Sequence, residues 1–155
     1  MDSMVQKIYG FLNLLVRNFL YLFYFSIGLS RGRGITMMDN LKEILTFFRS
    51  KDTPWIIMKY IENPLIVSKR KFDIRQWVLV TDWDPLTIWF YDDCYIRFSA
   101  EDYNDNDLKN RFIHLCNNSI AKYSSKSDNK IKGNMWDTEL LSNHLKNKYN
   151  RGDIY

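Results

Sequence analysis

Two long runs of strand-forming residues, separated by a short turn, constrain the fold of this 155-residue chain more than any other feature. Residues 71–81, KFDIRQWVLVT, and 86–91, LTIWFY, are rich in the β-branched and aromatic side chains that favour strands. Residues 82–85, DWDP, have the composition of a turn. The sequence therefore predicts a long β-hairpin, followed by a third strand over residues 94–98. Residues 77–80 are apolar without alternation, so we expect them to enter the core.

Segments with helical and extended patterns flank the hairpin and predict an α+β fold. Residues 39–48 carry apolar side chains at helical spacing, with Asp39 or Asn40 available as the capping residue. Residues 55–61, WIIMKYI, have the composition of a buried strand. Residues 134–149 follow a polar loop and predict an amphipathic helix.

An apolar block occupies the N-terminal end of the chain. Residues 9–29 contain a single charged residue, Arg17, and reach the length and hydropathy of a membrane-spanning helix. No small-residue cleavage site follows, which argues against a removed signal peptide. We predict an apolar helix over residues 1–28, outside a functional domain that occupies residues 30–155. Three interpretations stay open for it: a membrane span, a buried or interfacial helix, or a segment foreign to the domain that follows.

The composition is that of a globular chain. Hydrophobic residues make up 46% and charged residues 26%, which fits a packed core better than disorder. Cys94 and Cys116 form no CxxC motif and lie near no pair of histidines, so we expect free thiols and neither a zinc site nor a disulfide framework. The net charge of +4 suits an acidic partner, such as a phosphate ligand or a carboxylate-rich protein surface, but lysines that only solvate the surface explain it equally well.

The alternating charges of residues 71–75 form the most informative local pattern. Because side chains alternate along a strand, Lys71, Asp73 and Arg75 share one face. Charges at the start of an apolar strand are costly unless they are compensated, and a phosphate with a metal ion would compensate them. Lysine would neutralise phosphate as a point charge, and arginine would hold a phosphate or carboxylate with its planar fork. The competing interpretation is a solvent-facing strand whose charges pair with one another.

Other segments give weaker signals. Residues 30–34, SRGRG, let backbone amides approach a phosphate, but they match neither GxxxxGK[ST] nor GxGxxG, and a basic surface turn explains them as well. The backbone of residues 59–62 could contact the edge of a purine, or could simply end a packed strand. Arg97 lies among aromatic residues in a strand and therefore needs a partner. His114 fits a structural role better than a catalytic one, because no serine or cysteine accompanies it in a convincing arrangement.

Several strings, taken in order, resemble the tubulin tyrosine ligase-like family. They are SRGRGI at 30–35, WIIMKYIENPLIV at 55–67, RKFDIRQWVLVTDWDPLTIWFYDDCYIRFS at 70–99, HLCNNSIAK at 114–122 and NMW at 134–136. The resemblance covers about residues 30–148. The stretch TDWDPLTIWFYDDCYIRFS is similar to the glycylating branch of the family.

The resemblance implies the central, incomplete part of an ATP-grasp domain, in which two α+β lobes hold ATP between their sheets. It implies a ligase that attaches glycine to glutamate side chains of tubulin tails. ATP and Mg²⁺ would be its cofactors, glycine its co-substrate, and tubulin tails and microtubules its partners, with no role for nucleic acid. The implied location is the cytoplasm, cytoskeleton and cilium or axoneme, with a membrane anchor through residues 9–29 as the alternative.

Site residues follow from the same resemblance by position. The residues assigned to ATP are Arg31, Gly32, Met58, Lys59, Tyr60, Ile61, Lys71, Phe72, Asp73, Cys116 and Asn117. Those assigned to catalysis are Lys71, Asp73 and Arg75, and those assigned to a substrate carboxylate or phosphate are Arg31, Arg75 and Arg97. No metal ligand is expected within this chain.

Three departures from the family pattern shape these expectations. Phe25 stands where the family has a phosphate-binding lysine, and Met58 stands where it has a glutamine. The late magnesium-binding carboxylates and asparagine of the family have no counterpart after Tyr149. We therefore expect a truncated, weakly active or inactive form of the ligase. A glutamate-adding ligase of the same family and a non-enzymatic, membrane-tethered remnant are the alternatives.

Overall fold

The structure is a computed structural model, and it divides the chain into two compact units. The residues it describes are 22–26, 31–50, 55–61, 63–125 and 131–150. The first unit comprises residues 1–64 and 104–111, and the second comprises residues 65–103 and 112–155.

The first unit contains a three-stranded antiparallel sheet. Its strands are β1 (Leu22–Ser26), β2 (Ile35–Met38) and β3 (Trp55–Lys59), in the order β2-β1-β3. Helix α1 (Leu41–Arg49) connects β2 to β3. Ile44 of α1 is fully buried, and the apolar side chains of Met38, Leu41, Leu45, Trp55 and Ile57 pack against it.

Helix α1 begins where the sequence predicts. The side-chain oxygen Oδ1 of Asn40 accepts hydrogen bonds from the backbone N of Lys42 (2.9 Å) and of Glu43 (3.2 Å). These bonds satisfy two of the backbone donors that the first helical turn leaves without partners. The predicted helix, and Asn40 as one of its two candidate caps, are confirmed.

The expected N-terminal helix is wrong for the part of it that the structure describes. Residues 22–26 of the predicted helix over residues 1–28 form β1, which pairs with both β2 and β3. A short apolar run rich in aromatic residues suits a strand as well as a helix, and two neighbouring strands decide in favour of the strand here. The rest of residues 1–28 lies outside the described residues.

The second unit contains the predicted hairpin. Strands β4 (Phe72–Trp83) and β5 (Leu86–Phe98) are antiparallel, and β6 (Met135–Asp137) pairs with β5, which gives the order β4-β5-β6. The α+β class with antiparallel sheets is therefore confirmed.

Short helices follow the hairpin, and a longer one follows β6. They are α2 (Arg111–His114), α3 (Asn118–Ala121) and α4 (Thr138–Tyr149), with a 3-10 turn over Lys132–Asn134. We predicted a helix from residue 134 onward, but Met135–Asp137 extend the sheet instead. The reason is the pairing of Trp136 with Ile96, which places its ring edge-on to Phe98 at a centroid distance of 4.9 Å.

The core of the second unit lies between its sheet and α4. Its buried members are Val67, Ile96, Phe98, Ile131 and Leu141, and Phe72, Trp136 and Leu145 pack against them. Within the part of the chain that the structure describes, no helix has the length and apolar composition that a membrane crossing requires.

Two expectations about the hairpin are wrong. Residues 86–98 form one continuous strand and not two. Residues 77–80 do not enter the core, since the side chains of Trp77 and Leu79 are 53% and 62% exposed. The physical reason is that β6 pairs only with residues 95–97 of β5, so the rest of the hairpin continues as two strands. We call residues 77–91 the hairpin arm.

Candidate functional site

The charged residues of β4 lie against the end of β5. Antiparallel pairing sets Asp73 opposite Arg97. Arg97 donates from Nε to Asp73 Oδ1 over 2.7 Å and from Nη2 to Oδ2 over 2.8 Å. The hydrogen bond to Asp73 raises the pKa of Arg97 above its ordinary value. The expected partner of Arg97 is therefore present, and it is the carboxylate of Asp73.

Lys71 lies half-buried directly before β4, near both Asp73 and Cys116. Burial lowers the pKa of Lys71 below 10.5, and the negative charge of Asp73 offsets part of that effect. An ammonium group that has lost part of its hydration gains more from an anionic ligand than an exposed lysine does. Lys71 is therefore suited to bind a phosphate or a carboxylate.

The thiol of Cys116 packs against this pair of residues. Its Sγ donates to the backbone oxygen of Lys71 over 3.6 Å. Burial, and then the nearby charge of Asp73, raise the pKa of Cys116 to about 12. At neutral pH the group is a neutral thiol, and only a thiolate acts as a nucleophile or metal ligand. Cys116 therefore contributes packing and a hydrogen bond to the site.

Three other predicted site residues of the second unit have different surroundings. Arg75 is exposed, with its guanidinium carbon 4.7 Å from the centre of the Trp77 ring. Phe72 packs into the core, where its ring lies 5.9 Å from that of Phe98. Asn117 precedes α3, and its backbone oxygen accepts from Ile120 N and Ala121 N over 2.8 and 3.0 Å. The structure thus brings Lys71, Asp73, Arg97 and Cys116 together, and we call these four residues the Lys71 cluster.

The remaining residues that the resemblance assigns to ATP belong to the first unit. Arg31–Gly34 form a turn, in which Arg31 and Gly32 have left-handed φ angles of 61° and 77°. Glycine adopts such angles without steric cost, so Gly32 and Gly34, whose φ is 68°, suit this backbone, whereas Arg31 adopts a left-handed angle without being glycine. Around the end of β3, Met58, Lys59 and Ile61 are exposed, whereas Tyr60 is buried.

A buried arginine next to the Lys71 cluster was not identified from the sequence. Arg70 is 2% exposed, and its Nη1 donates to Asn134 Oδ1 over 2.9 Å and to the backbone oxygen of Ser99 over 3.5 Å. Asn134 has a left-handed φ of 53°, which asparagine tolerates better than most residues. These contacts connect the residue before Lys71 to the end of β5 and to the turn before β6. The sequence signal that could have identified Arg70 is a charged residue directly before an apolar strand.

Asp73 is the carboxylate of the Lys71 cluster. In the described ranges, no group of three or more His, Cys, Asp or Glu side chains is arranged to hold a metal ion. Asp73 is already engaged by the guanidinium of Arg97. Magnesium in nucleotide sites is usually bound by one or two carboxylates together with water and substrate phosphates.

Comparisons with known sequences give the family of this chain. The sequence model of the tubulin-tyrosine ligase family matches residues 26–155. The chain belongs to the tubulin-tyrosine ligase family. The relatives described below are named as glycylases or monoglycylases.

Three of these relatives show the extent of the match. Tubulin glycylase 3C of Tetrahymena thermophila is 56% identical over 124 residues, which cover 78% of this chain and 12% of the relative. Human tubulin monoglycylase TTLL3 is 47% identical over 125 residues, covering 75% of this chain and 16% of the relative. Human protein monoglycylase TTLL8 is 42% identical over 135 residues, which cover 81% of this chain and 16% of the relative. This chain therefore spans less than a fifth of the length of each of these relatives.

Proposed function

We propose that this chain contributes the phosphate-binding face of an ATP-dependent ligase that attaches glycine to glutamate side chains of tubulin tails. Membership of the tubulin-tyrosine ligase family supports the ligase chemistry, and the names of its relatives support glycylation. The observation that carries the proposal is the half-buried ammonium group of Lys71 beside the Asp73–Arg97 pair.

The role of Lys71 follows from its surroundings. Bound ATP would supply the phosphoryl group that activates the glutamate carboxylate toward the amine of glycine. Lys71 would neutralise phosphate charge as a point cation, with little reorganisation because its ammonium group is already partly desolvated. The thiol of Cys116 would remain uncharged and would add no repulsion against the phosphates.

Asp73 and Arg97 would act as an oriented pair. The bidentate contact fixes the plane of the Arg97 guanidinium, which a single hydrogen bond would not do. Arg97 would hold a phosphate or a substrate carboxylate through the part of its fork that faces away from Asp73. Arg75 is exposed on β4, the strand that also carries Asp73. It would contact the acidic substrate further from the nucleotide.

The first unit carries the other residues that the family resemblance assigns to ATP. In this proposal the Arg31–Gly34 turn binds phosphate and residues 58–61 bind adenine, as parts of an ATP-grasp domain. Tubulin tails are acidic, and the net charge of +4 would favour their approach. The place of action would be the cytoplasm and the microtubules of the cytoskeleton or cilium.

Nucleotide binding tests the role of Lys71 directly. Titration calorimetry with ATP is expected to show about tenfold weaker binding for Lys71→Met than for the parent chain, and an intermediate value for Lys71→Arg. Lys146→Met is the matched control, because Lys146 is an exposed lysine of α4. Equal affinities for the parent and Lys71→Met would remove Lys71 from the site.

Glycine transfer tests the proposed activity. The 124 residues that match tubulin glycylase 3C would be exchanged into that enzyme, and incorporation of labelled glycine into tubulin would be measured against labelled glutamate. We expect the exchanged enzyme to transfer glycine, and Lys71→Met within it to reduce the rate strongly. Preferred transfer of glutamate would favour the polyglutamylase-type alternative. Loss of transfer in a folded, ATP-binding chimera would contradict the proposal.

A further inference from the structure

We infer that Asn134 is a positioning residue of the phosphate-binding face, and that it acts on Lys71 through the buried guanidinium of Arg70. This role rests on the proposed function, in which Lys71 binds a phosphate. It adds the turn before β6 to the parts of the chain that determine the affinity for ATP. The contacts of Arg70, the backbone around it and the conformation of Asn134 support it.

Arg70 is a buried anchor within the second unit. Its side chain is 2% exposed, and its Nη1 donates to Asn134 Oδ1 over 2.9 Å and to the backbone oxygen of Ser99 over 3.5 Å. Arginine carries donors and no acceptor, so the amide of Asn134 can face it only with its oxygen. Removing that oxygen would take one hydrogen bond from a buried charged donor, which is costly. The side chain of Asn134 therefore helps to hold the guanidinium in place.

The backbone around Arg70 transmits this anchoring to Lys71. Arg70 and Val67 exchange backbone hydrogen bonds of 2.9 and 3.1 Å across a two-residue turn, and the backbone oxygen of Lys71 accepts from Ser99 N over 2.9 Å. Because side chains alternate along an extended chain, Arg70 and Phe72 project to one side and Lys71 projects to the other. The side of Phe72 is the core, against which its ring packs. An anchor on the core side thus determines the direction in which the ammonium group of Lys71 points.

The conformation of Asn134 separates its backbone role from its side-chain role. Gly133 and Asn134 have left-handed φ angles of 64° and 53°, and the backbone N of Asn134 donates to the oxygen of Ile131 over 2.9 Å. Asparagine tolerates such angles better than most residues, and glycine adopts them without steric cost. Glycine would therefore satisfy the turn equally well, and what the amide of Asn134 adds is its contact with Arg70. Asn134→Gly removes this contact without straining the backbone.

Titration calorimetry with ATP on the full chain tests the role of Asn134. We expect Asn134→Gly to weaken ATP binding about fivefold, because the anchor of the segment that carries Lys71 is loosened. Asn134→Asp keeps an accepting oxygen and tolerates the same φ angle, so its affinity should remain within about twofold of the parent value. Urea denaturation of each variant checks that it is folded under the conditions of the titration.

Asn150→Gly is the matched control. Asn150 is exposed at the end of α4 and has a left-handed φ of 54°, so the same exchange is made at nearly the same backbone angle. We expect Asn150→Gly to bind ATP as the parent does. Equal affinities for Asn134→Gly and Asn150→Gly, or a loss in Asn134→Asp as large as that in Asn134→Gly, would overturn the inference.

A double-mutant cycle distinguishes positioning of Lys71 from a general loosening of the site. If Asn134 acts through Lys71, Asn134→Gly should have no further effect on ATP affinity in a chain that already carries Lys71→Met. A further loss of about fivefold would mean that the turn affects ATP binding in another way, and would overturn the inference.

The same titrations separate this inference from the proposed function. Unchanged ATP affinity in Lys71→Met alone would overturn the proposed role of Lys71 and the role of Asn134 together. Weaker binding in Lys71→Met without weaker binding in Asn134→Gly would overturn only the role of Asn134.

Discussion

Burial of single side chains sets the charge state of the Lys71 cluster. Burial lowers the pKa of Lys71 and raises that of Cys116, because in both cases it disfavours the charged form. Asp73 and Arg97 form a salt bridge, in which their opposite charges offset each other. The cluster at neutral pH therefore combines a neutral thiol, a neutralised ion pair and one ammonium group that still attracts anions.

The raised pKa of the Cys116 thiol makes the free energy of unfolding depend on pH in the alkaline range. Its ordinary pKa is 9.0, whereas the folded state raises the pKa to about 12. Between these values the folded chain retains a proton that the unfolded chain has released, so the free energy of unfolding falls as pH rises. This contribution is at most about 1.4 kcal/mol per pH unit. We expect Cys116→Ala to lose less stability than the parent between pH 9 and 12 in urea denaturation.

Other groups also titrate in that range, so the comparison needs a control with a similar cavity. Cys94→Ala removes the other buried thiol and serves this purpose. If the parent and Cys116→Ala lose stability in parallel, the thiol of Cys116 is not the group responsible.

Sequence reasoning identified the individual residues of this site better than their partners. A charge within an aromatic strand showed that Arg97 needs a partner, but the choice of Asp73 depends on the register of β4 against β5. Arg70 was missed because its partner Asn134 lies 64 residues further along the chain. Contacts of this kind depend on tertiary packing, which no local pattern encodes.

At the scale of elements, segments with local signals were predicted correctly. Helix α1 has both an apolar face and a capping Asn40, and the hairpin has two β-rich runs around a DWDP turn. The predictions failed where pairing with distant strands decided the outcome. Residues 22–26 form a strand because two strands flank them, and residues 135–137 extend a sheet because β5 offers a free edge.

The junction between β6 and α4 gives a prediction at this scale. Asp137 ends β6 and caps α4, with its Oδ1 accepting from Leu140 N over 2.8 Å. Asp137→Ala is expected to lower the free energy of unfolding by about 1 kcal/mol, because it removes the cap and a charge that favours the helix N-terminus. Asp137→Asn keeps an accepting oxygen and should lose only part of this amount. Urea denaturation of the three proteins measures both effects, and equal losses for alanine and asparagine would contradict the capping role.

At the scale of the whole molecule, two separate hydrophobic clusters correspond to the two units. Ile44 centres the cluster of the first unit, and Leu141 belongs to that of the second. Both side chains are almost completely buried, so replacing either of them with alanine removes packing that its neighbours cannot fully replace. A substitution in one cluster is therefore expected to lower the stability of the unit that contains it.

Hydrogen exchange with mass spectrometry can resolve these two contributions. Ile44→Ala is expected to reduce the protection of the amides of β1, β2 and β3 by about 2–5 kcal/mol, with a smaller loss in β4, β5 and β6. Leu141→Ala should produce the reverse pattern, so each variant is the control for the other. Each substitution removes a buried aliphatic side chain from one cluster only, and local opening reports the packing of the unit in which it occurs. Equal losses across both sheets in both variants would show that the two clusters unfold as one cooperative core.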